Sequence, residues 1–338
     1  MLCPYIRSSS INQFKSCEMK YTLEYLFGFK SKSGKKASLG TIFHKIMELR
    51  AQASKAISSD FKFIIDDNFG QMKVSEALNI QKSLALCFGY YKDIESHIVF
   101  DDKKDMKTIA GWIEKTLHDY PHYDPINLDI IDTEVFFDFE IKKPWASYKS
   151  VIEGIEFGGN LRIKGTMDTV VRLTDSVYEL VDYKTGALRS DFATGEEKTL
   201  EYLQNDVQLL LYLIALTEIY PDKHFILTLF YINNGGLFSV AADDDMLGRA
   251  WKMLEKTYLQ INKTYNPSQL DSTHKDWRCK YCCDFSKPYK NGLSMCQFMK
   301  KEMREKSFGE VSKEYVKASG ITTYGSGGGR TSDSRSTT

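Results

Sequence analysis

The sequence predicts a mixed α/β protein, because segments with helical periodicity and segments with strand character alternate along its 338 residues. Apolar residues recur at helical spacing in several stretches, which is the pattern of helices that bury one face. Runs rich in Val, Ile, Phe and Tyr, bounded by turn residues, indicate strands. The predicted helices cover residues 8–27, 37–57, 199–219 and 245–263, and the predicted strands cover 130–141, 161–173, 177–184, 225–231 and 237–240.

The length of the chain fits one large domain. We expect this domain to span residues 1–308 and to carry a helical insertion at about 60–125. Residues 309–338 form a polar tail that is predicted to be disordered, as a solvated terminus or as a tether for a partner. A serine run, Ser8–Ser10, is expected to cap the first helix.

The overall charge gives no support for nucleic-acid binding. Lys and Arg total 45, and so do Asp and Glu, whereas phosphate-binding proteins are usually basic. A neutral protein can still concentrate positive potential in one cleft. The absence of a long apolar run and of a signal-peptide pattern predicts a soluble, cytoplasmic protein without a membrane partner. Ser33–Lys36 lacks the spacing of a Walker A loop, so no motor activity is predicted.

Two of the predicted strands form a hairpin that brings acidic residues together. In Asp182-Tyr183-Lys184, residues two apart share a face of the strand, so a carboxylate and an ammonium lie side by side. A three-residue loop at 174–176 would place Asp168 directly opposite Asp182, with Cβ atoms about 5 Å apart. A two-residue turn would instead place the two acids on opposite faces.

Opposed carboxylates are destabilising unless a cation lies between them, and oxygen ligands suit Mg²⁺ or Mn²⁺. Such a cation would polarise a phosphate and lower the pKa of a bound water. Lys184 would orient that water or stabilise charge in the transition state. The alternative is a surface hairpin with solvated acids. The sequence therefore predicts a centre that cleaves phosphodiester bonds, formed by Asp168, Asp182 and Lys184.

Two motifs in these strands resemble the core signature of the PD-(D/E)XK nucleases. Gly165-Thr166-Met167-Asp168 and Val181–Gly186, which reads VDYKTG, are similar to its RecB-like branch, with the AddB-type and CRISPR-associated exonucleases. The resemblance implies a restriction-endonuclease-like core, a central mixed β-sheet flanked by helices. It also implies that the protein cleaves DNA.

Three further features resemble the same branch: a G-x-x-x-H helix, a Q-x-x-x-Y helix and an upstream strand acid, Glu134. Gly40–His44 is similar to a G-x-x-x-H helix whose His binds the metal, although His44 lies among apolar residues and could be a core histidine. Gln208–Tyr212 resembles a Q-x-x-x-Y helix that contacts DNA or the catalytic lysine. The resemblance assigns metal binding to His44, Asp168, Asp182, the Tyr183 backbone carbonyl and, more weakly, Glu134, and it assigns catalytic roles to Asp168, Asp182, Lys184, Gln208 and Tyr212.

Four of the seven cysteines lie within residues 279–296. Cys279-x-x-Cys282 has a chelating spacing, Cys296 offers a third thiolate, and Cys283 could complete a zinc site. The resemblance implies a [4Fe–4S] cluster instead, held by Cys17, Cys279, Cys282 and Cys296, which would join the two ends of the domain. The 13 residues between Cys282 and Cys296 exceed the usual gap in the branch, and free thiols are a further alternative.

The predicted function is Mg²⁺- or Mn²⁺-dependent DNA cleavage, exonucleolytic on single-stranded ends, in DNA recombination, repair or replication. One alternative is a nuclease subunit that acts with a helicase or recombination protein supplied in trans. Another is a non-catalytic DNA-binding scaffold of the same fold. The size of the chain is compatible with a phage or mobile-element origin.

Overall fold

A six-stranded mixed β-sheet forms the centre of the protein. The computed structural model describes residues 3–32, 34–152, 155–186, 198–233, 235–263, 279, 283–306, 310–311 and 314–315. The sheet strands are β1 (Tyr5–Ile6), β4 (Ile130–Glu140), β7 (Arg162–Arg172), β8 (Val177–Lys184), β9 (His224–Tyr231) and β10 (Gly236–Ala241). Three two-stranded hairpins lie outside it: β2–β3 (Phe63–Asp66, Gly70–Lys73), β5–β6 (Ser147–Ile152, Ile155–Asn160) and β11–β12 (Pro288–Lys290, Leu293–Ser294).

The strand order is β1-β7-β8-β9-β10, with β4 on the other edge of β7. β8 and β9 run parallel, whereas β4 with β7, β7 with β8, and β9 with β10 are antiparallel. The helices are α1 (Ser8–Ser16), α2 (Glu18–Tyr21), α3 (Lys35–Ser58), α4 (Val74–Ala77), α5 (Ile80–Ile94), α6 (Asp102–Asp119), α7 (Leu200–Gln204), α8 (Val207–Ile219), α9 (Asp244–Lys263) and α10 (Met295–Glu305).

Helices cover both faces of the sheet. One hydrophobic core joins the sheet to α1, α8 and α9, and a second joins the opposite face to α3, α5 and α6. The middle of α8 is apolar on every side and is buried throughout residues 209–216, as expected of a helix enclosed in a core. The predicted fold class, an α/β restriction-endonuclease-like core with a central mixed sheet flanked by helices, is confirmed.

A third, smaller core joins segments from the two ends of the chain. Met19, Leu23 and Phe27 pack there with Phe298 and Met299 of α10. Because a core of this kind holds distant segments together, it keeps the N-terminal helices beside residues 283–306.

The helix predicted over residues 199–219 is two helices, α7 and α8. The chain breaks at Asn205–Asp206, and the Asp206 carboxylate accepts hydrogen bonds from the backbone N–H of Gln208 at 2.8 Å and of Leu209 at 3.3 Å. An acid in this position caps a new helix, because it satisfies N–H groups that have no partner within the helix.

The serine run Ser8–Ser10 forms the first turn of α1 and does not provide the predicted N-cap. The N-cap of α1 is Arg7, and Ser10 Oγ accepts a hydrogen bond from Arg7 N at 2.9 Å from within the first turn. Residues 60–125, the expected helical insertion, contain the β2–β3 hairpin as well as α4, α5 and α6. Residues 316–338, which make up most of the predicted tail, lie outside the described residues. In the part of the chain that is described, none of the helices has the length and apolar character needed to cross a membrane.

Two glycines provide a matched test of packing. A Cβ on Gly165 of β7 would lie 2.5 Å from the ring of Phe137, which is buried, whereas a Cβ on Gly111 of α6 would meet nothing within 4 Å. We expect Gly165→Ala to lower the free energy of unfolding by about 1–3 kcal/mol through overpacking. Gly111→Ala should raise it by about 0.5–1 kcal/mol, because alanine is the better helix former. Urea titration of both variants measures the difference, and equal effects would contradict the packing argument.

Candidate active site

The hairpin of β7 and β8 has the predicted register. Thr169 pairs with Val181, Arg172 pairs with Tyr178, and the loop between the strands is residues 174–176. Continued by one residue, this register aligns Asp168 with Asp182. The three-residue loop inferred from the sequence is therefore confirmed.

The regular ladder ends at Thr169, and β7 and β8 separate beyond it. Met167 and Val170 both lie in the core beside α8, although residues three apart in a regular strand face opposite sides. Asp168 therefore interrupts the alternation. Its Oδ2 accepts a hydrogen bond from the backbone N–H of Tyr183 at 2.9 Å. The carboxylate closes the gap between the strands, so the expected regular pair on one face is replaced by an irregularity at this residue.

Helix α3 contributes His44 to this point. His44 Nδ1 lies 3.1 Å from Asp168 Oδ2. The helix can approach because Gly40 has no side chain: a Cβ there would lie 2.8 Å from Thr185 Oγ1, directly after β8. With Nδ1 donating to Asp168, the neutral ring would present a lone pair on Nε2, the arrangement of a metal-binding histidine.

Helix α8 connects Asp182 to Lys184 through one amide side chain. Gln208 Nε2 donates to Asp182 Oδ1 at 3.1 Å, and Lys184 Nζ donates to Gln208 Oε1 at 2.8 Å. The same Nε2 group donates to the Tyr212 hydroxyl, which donates in turn to the Thr166 backbone carbonyl at 2.6 Å. Gln208 and Tyr212 are one turn apart on α8, as the motif spacing predicts, and together they fix the positions of both charged groups.

The charges of the site alter one another's pKa values. Burial and the Asp168 charge raise the pKa of Asp182 to about 6, although the Lys184 ammonium opposes them. Burial alone would raise the pKa of Asp168, but His44, Lys184 and the Tyr183 N–H hold it below its usual value. Burial would lower the pKa of His44, and the Asp168 carboxylate outweighs this and raises it. The two acids therefore differ: Asp168 is stabilised as an anion, and Asp182 is not.

Glu134 lies on β4 next to this pair. Its backbone is left-handed, with φ of 48°, between residues that pair regularly with β7. Such strain in a non-glycine residue is common at functional sites. Burial, Asp168 and Glu48 raise the pKa of Glu134 to about 8. The sequence resemblance assigned Glu134 only weakly, and its metal-binding role stays a prediction.

A cleft of about 410 Å³ opens onto His44, Glu134 and Asp168. Sequence reasoning missed two charged residues in its wall, Lys45 and Glu48. Lys45 Nζ lies 2.8 Å from Glu48 Oε2 and 2.6 Å from Asp66 Oδ2. The i, i+4 spacing between His44 and Glu48 could have indicated that both face the same cleft.

The donor set is suited to a hard divalent cation. Asp182 is 1% exposed, and its Oδ2 forms an ion pair with Lys184 but accepts no hydrogen bond of normal geometry within the described residues. A buried carboxylate oxygen with one ion pair and no regular hydrogen bond has room for a cation as a further partner. As the side chains stand, no three ligand-type groups in the described part of the chain are arranged to hold an ion. The Tyr183 ring and the Tyr183 N–H face the protein, and metal binding by its carbonyl remains a prediction.

The C-terminal cysteines Cys279, Cys283 and Cys296 lie near Cys17 from the N-terminal part of the chain. Cys17, Cys283 and Cys296 all pack against the third core, and Cys282 lies outside the described residues. A hydrogen bond from Cys296 lowers the pKa of Cys283 to about 6, and the same contact raises the pKa of Cys296, with smaller contributions from Cys17 and Cys279. Four thiols from both ends of the chain thus share one neighbourhood. They form no three-ligand metal site among the residues described, and Cys283, absent from the predicted set, is the residue that contacts Cys296.

A mixed sheet that positions acids and a lysine where two strands separate defines the class as a phosphodiester-hydrolysing nuclease. The model of the PD-(D/E)XK nuclease superfamily matches residues 8–286, and the protein belongs to this superfamily. Nucleases of this superfamily generally use divalent cations such as Mg²⁺.

Two solved structures are similar to parts of the chain. One is the crystal structure of a candidate exonuclease from Eubacterium rectale, at 12% identity over 85% of this chain and 91% of that chain, with a TM-score of 0.48. The other is the structure of SSO0001, at 16% identity over 78% and 90%, with a TM-score of 0.25. None of the curated proteins matches the chain.

The raised pKa of Asp182 predicts how stability responds to its removal. An aspartate has a pKa of about 3.9 when unfolded, so ionising Asp182 penalises the folded state as pH rises through about 4 to 6, and the penalty persists above 6. In EDTA, the free energy of unfolding of Asp182→Asn relative to wild type should therefore be higher near pH 7.5 than near pH 4.5. Urea titrations at both pH values measure this.

The control is Asp175→Asn, in the exposed hairpin loop, for which we expect no change. Mg²⁺ should stabilise the wild type more than Asp182→Asn, because the cation removes the penalty only where the carboxylate is present. If the difference in stability between Asp182→Asn and wild type in EDTA were the same at both pH values, this account of the site would be contradicted.

Proposed function

We propose that this protein is a Mg²⁺- or Mn²⁺-dependent deoxyribonuclease that digests single-stranded DNA ends inside the cell, in recombination, repair or replication. The observation that carries the proposal is the Gln208 side chain, which hydrogen-bonds both Asp182 and Lys184. Surface acids and lysines need no such shared support. A half-buried amide that fixes both groups is the kind of preorganisation that catalysis requires.

The residues that would hold the cation are Asp168, Asp182, His44 and the Tyr183 carbonyl, with Glu134 as a further candidate. When bound, the cation would polarise the scissile phosphate and lower the pKa of the attacking water. Lys184 would orient that water or balance charge on the phosphate in the transition state. Asp168 would keep the His44 ring in the tautomer that presents Nε2. Gln208 and Tyr212 would act as positioning residues for Asp182 and Lys184.

Attack on single strands is supported by the charge of the chain. With equal numbers of acidic and basic residues, we do not expect the broad positive surface that holds a duplex through its phosphates. The missing Walker A loop favours a second candidate, a nuclease subunit that acts with a separate helicase. A non-catalytic scaffold of the same fold is disfavoured, because all the residues of the nuclease motifs are present.

We also propose that the shared thiol neighbourhood holds a [4Fe–4S] cluster, with zinc as the alternative. Cys17, Cys279 and Cys296 would supply three ligands, and Cys282 or Cys283 the fourth. The support is that cysteines from the two ends of the chain affect one another's pKa values. The role would be structural, because the third core already joins the same two segments.

A cleavage assay tests the nuclease. Labelled single-stranded and duplex DNA are incubated with Mn²⁺, or with EDTA, and with wild type, Asp182→Ala or Asp175→Ala. We expect wild type and Asp175→Ala to digest the single strand, and Asp182→Ala to lose at least about 100-fold in rate, because it removes a cation ligand. Wild-type rates in Asp182→Ala would overturn the proposed site, and digestion of duplex alone would overturn the strand preference.

Iron analysis tests the cluster. Protein purified without air should contain about four irons per chain and absorb visible light. Cys17→Ser should lose the iron, whereas Cys87→Ser should keep it, because Cys87 is buried in the separate core beside α3 and α5. Colourless, iron-free wild type would refute the cluster, and stoichiometric zinc would support the alternative.

A further inference from the structure

A second groove lies next to the candidate active site, on the side of Lys184. Its volume is about 630 Å³. Lys184 pairs with Tyr231 in the parallel ladder of β8 and β9, so the two side chains project from the same face of the sheet. Lys198 Nζ donates a hydrogen bond to the Tyr231 hydroxyl at 3.1 Å. One tyrosine therefore connects Lys184 to the groove. The lining is Asn12, Lys15, Lys198, Thr199, Tyr202 and Asp206, with Glu201, Asn205 and Val207.

Lys198 lies between two tyrosines, Tyr202 and Tyr231. Its Nζ lies 5.5 Å from the ring centroid of Tyr202 and 5.5 Å from that of Tyr231. The Tyr231 ring is buried, whereas Tyr202 is 44% exposed. The contact with Tyr202 is a cation–π contact, whereas Nζ meets Tyr231 at its hydroxyl, and neither contact neutralises the charge of the ammonium. The groove thus presents a positioned positive charge beside an accessible aromatic ring.

The opposite wall of the groove comes from α1. Lys15 is exposed there. The neighbouring protein atoms partly desolvate its ammonium and lower the pKa of Lys15; Asp206 opposes this shift and Lys256 of α9 adds to it, so a second positive charge lies nearby. The Asp206 charge acts on both Lys15 and Lys198 and opposes the lowering of their pKa values by desolvation, but its carboxylate already accepts hydrogen bonds from the N-terminal N–H groups of α8. Its charge is partly compensated by that helix terminus.

We propose that this groove binds the single-stranded DNA next to the scissile phosphate, with Lys15 and Lys198 contacting phosphates and the Tyr202 ring stacking on a base. The inference rests on the proposed function and deepens it. Lysines that alternate with an exposed aromatic ring are the pattern of sequence-tolerant single-strand sites. A base in a duplex is already stacked and paired, so it could not use the Tyr202 ring.

Binding of the full-length chain to DNA tests the groove apart from catalysis. Fluorescence anisotropy in EDTA is measured with a labelled single-stranded oligonucleotide and with the matching duplex. The variants are Lys198→Ala and Tyr202→Ala, and their controls are Lys107→Ala, an exposed lysine of α6, and Tyr289→Ala, whose ring is 43% exposed. Tyr202→Phe and Lys198→Arg are included because they preserve the ring and the charge.

We expect Lys198→Ala and Tyr202→Ala to raise the single-strand Kd about 5- to 20-fold, with Tyr202→Phe and Lys198→Arg near wild type. Lys198→Ala should also reduce the salt slope of binding by about 0.7, the value for one phosphate contact on a single strand. In the Mn²⁺ assay of the two alanine variants, KM should rise by a larger factor than kcat falls. The two control variants should bind like wild type.

The outcomes separate this inference from the proposed function. Wild type that cleaves DNA, with groove variants that bind like the controls, would overturn the groove and leave the nuclease intact. Groove variants that lose single-strand binding, in a wild type that cleaves nothing, would support the groove and overturn the nuclease. Equal losses on single strand and duplex, or failure of Tyr202→Phe to restore binding, would overturn the stacking role.

Discussion

The hydrogen bond from the Tyr183 N–H to the Asp168 carboxylate is the contact on which the site depends. β7 and β8 pair regularly from the loop as far as Thr169, and a continued ladder would leave no room for a substrate. At Asp168 the side chain takes the place of a backbone acceptor. The strands can then separate without leaving a buried N–H unsatisfied, which would cost about 1–3 kcal/mol. The Asp168 carboxylate also pairs with His44. Both contacts favour its anionic form, so they are compatible.

This arrangement concentrates charge that the surrounding helices must compensate. Asp182 is almost fully buried, and its pKa is raised to about 6, so the folded protein without a cation retains an unfavourable carboxylate. α8 supplies Gln208, which reaches both Asp182 and Lys184. α8 is well suited to the task, since residues 209–216 are buried in the core and fix its position. Core packing therefore sets the geometry of the polar groups.

The sequence was informative wherever local rules decide. The length of the loop at residues 174–176 determined the register of the hairpin, and the spacing of Gln208 and Tyr212 placed both on one face of α8. Local rules could not reveal the interruption at Asp168, because it depends on a contact with a neighbouring strand. The break between α7 and α8 was missed because Asp206 is read as an ordinary helical residue unless its capping role is recognised. Lys198 and Lys15 are distant in sequence, so only the fold brings them to one groove.

Residues 60–125 support the candidate active site through α3, the helix that precedes them in the chain. Two buried ion pairs join α3 to this segment: Lys45 with Asp66, and Arg50 with Asp124. Removing one partner of a buried pair leaves an uncompensated charge, which costs about 3–5 kcal/mol. The pairs therefore hold α3 between the segment and the sheet, and His44 lies one residue before Lys45 on that helix. A displacement of the segment would move the histidine away from Asp168, so these residues are part of the support of the site.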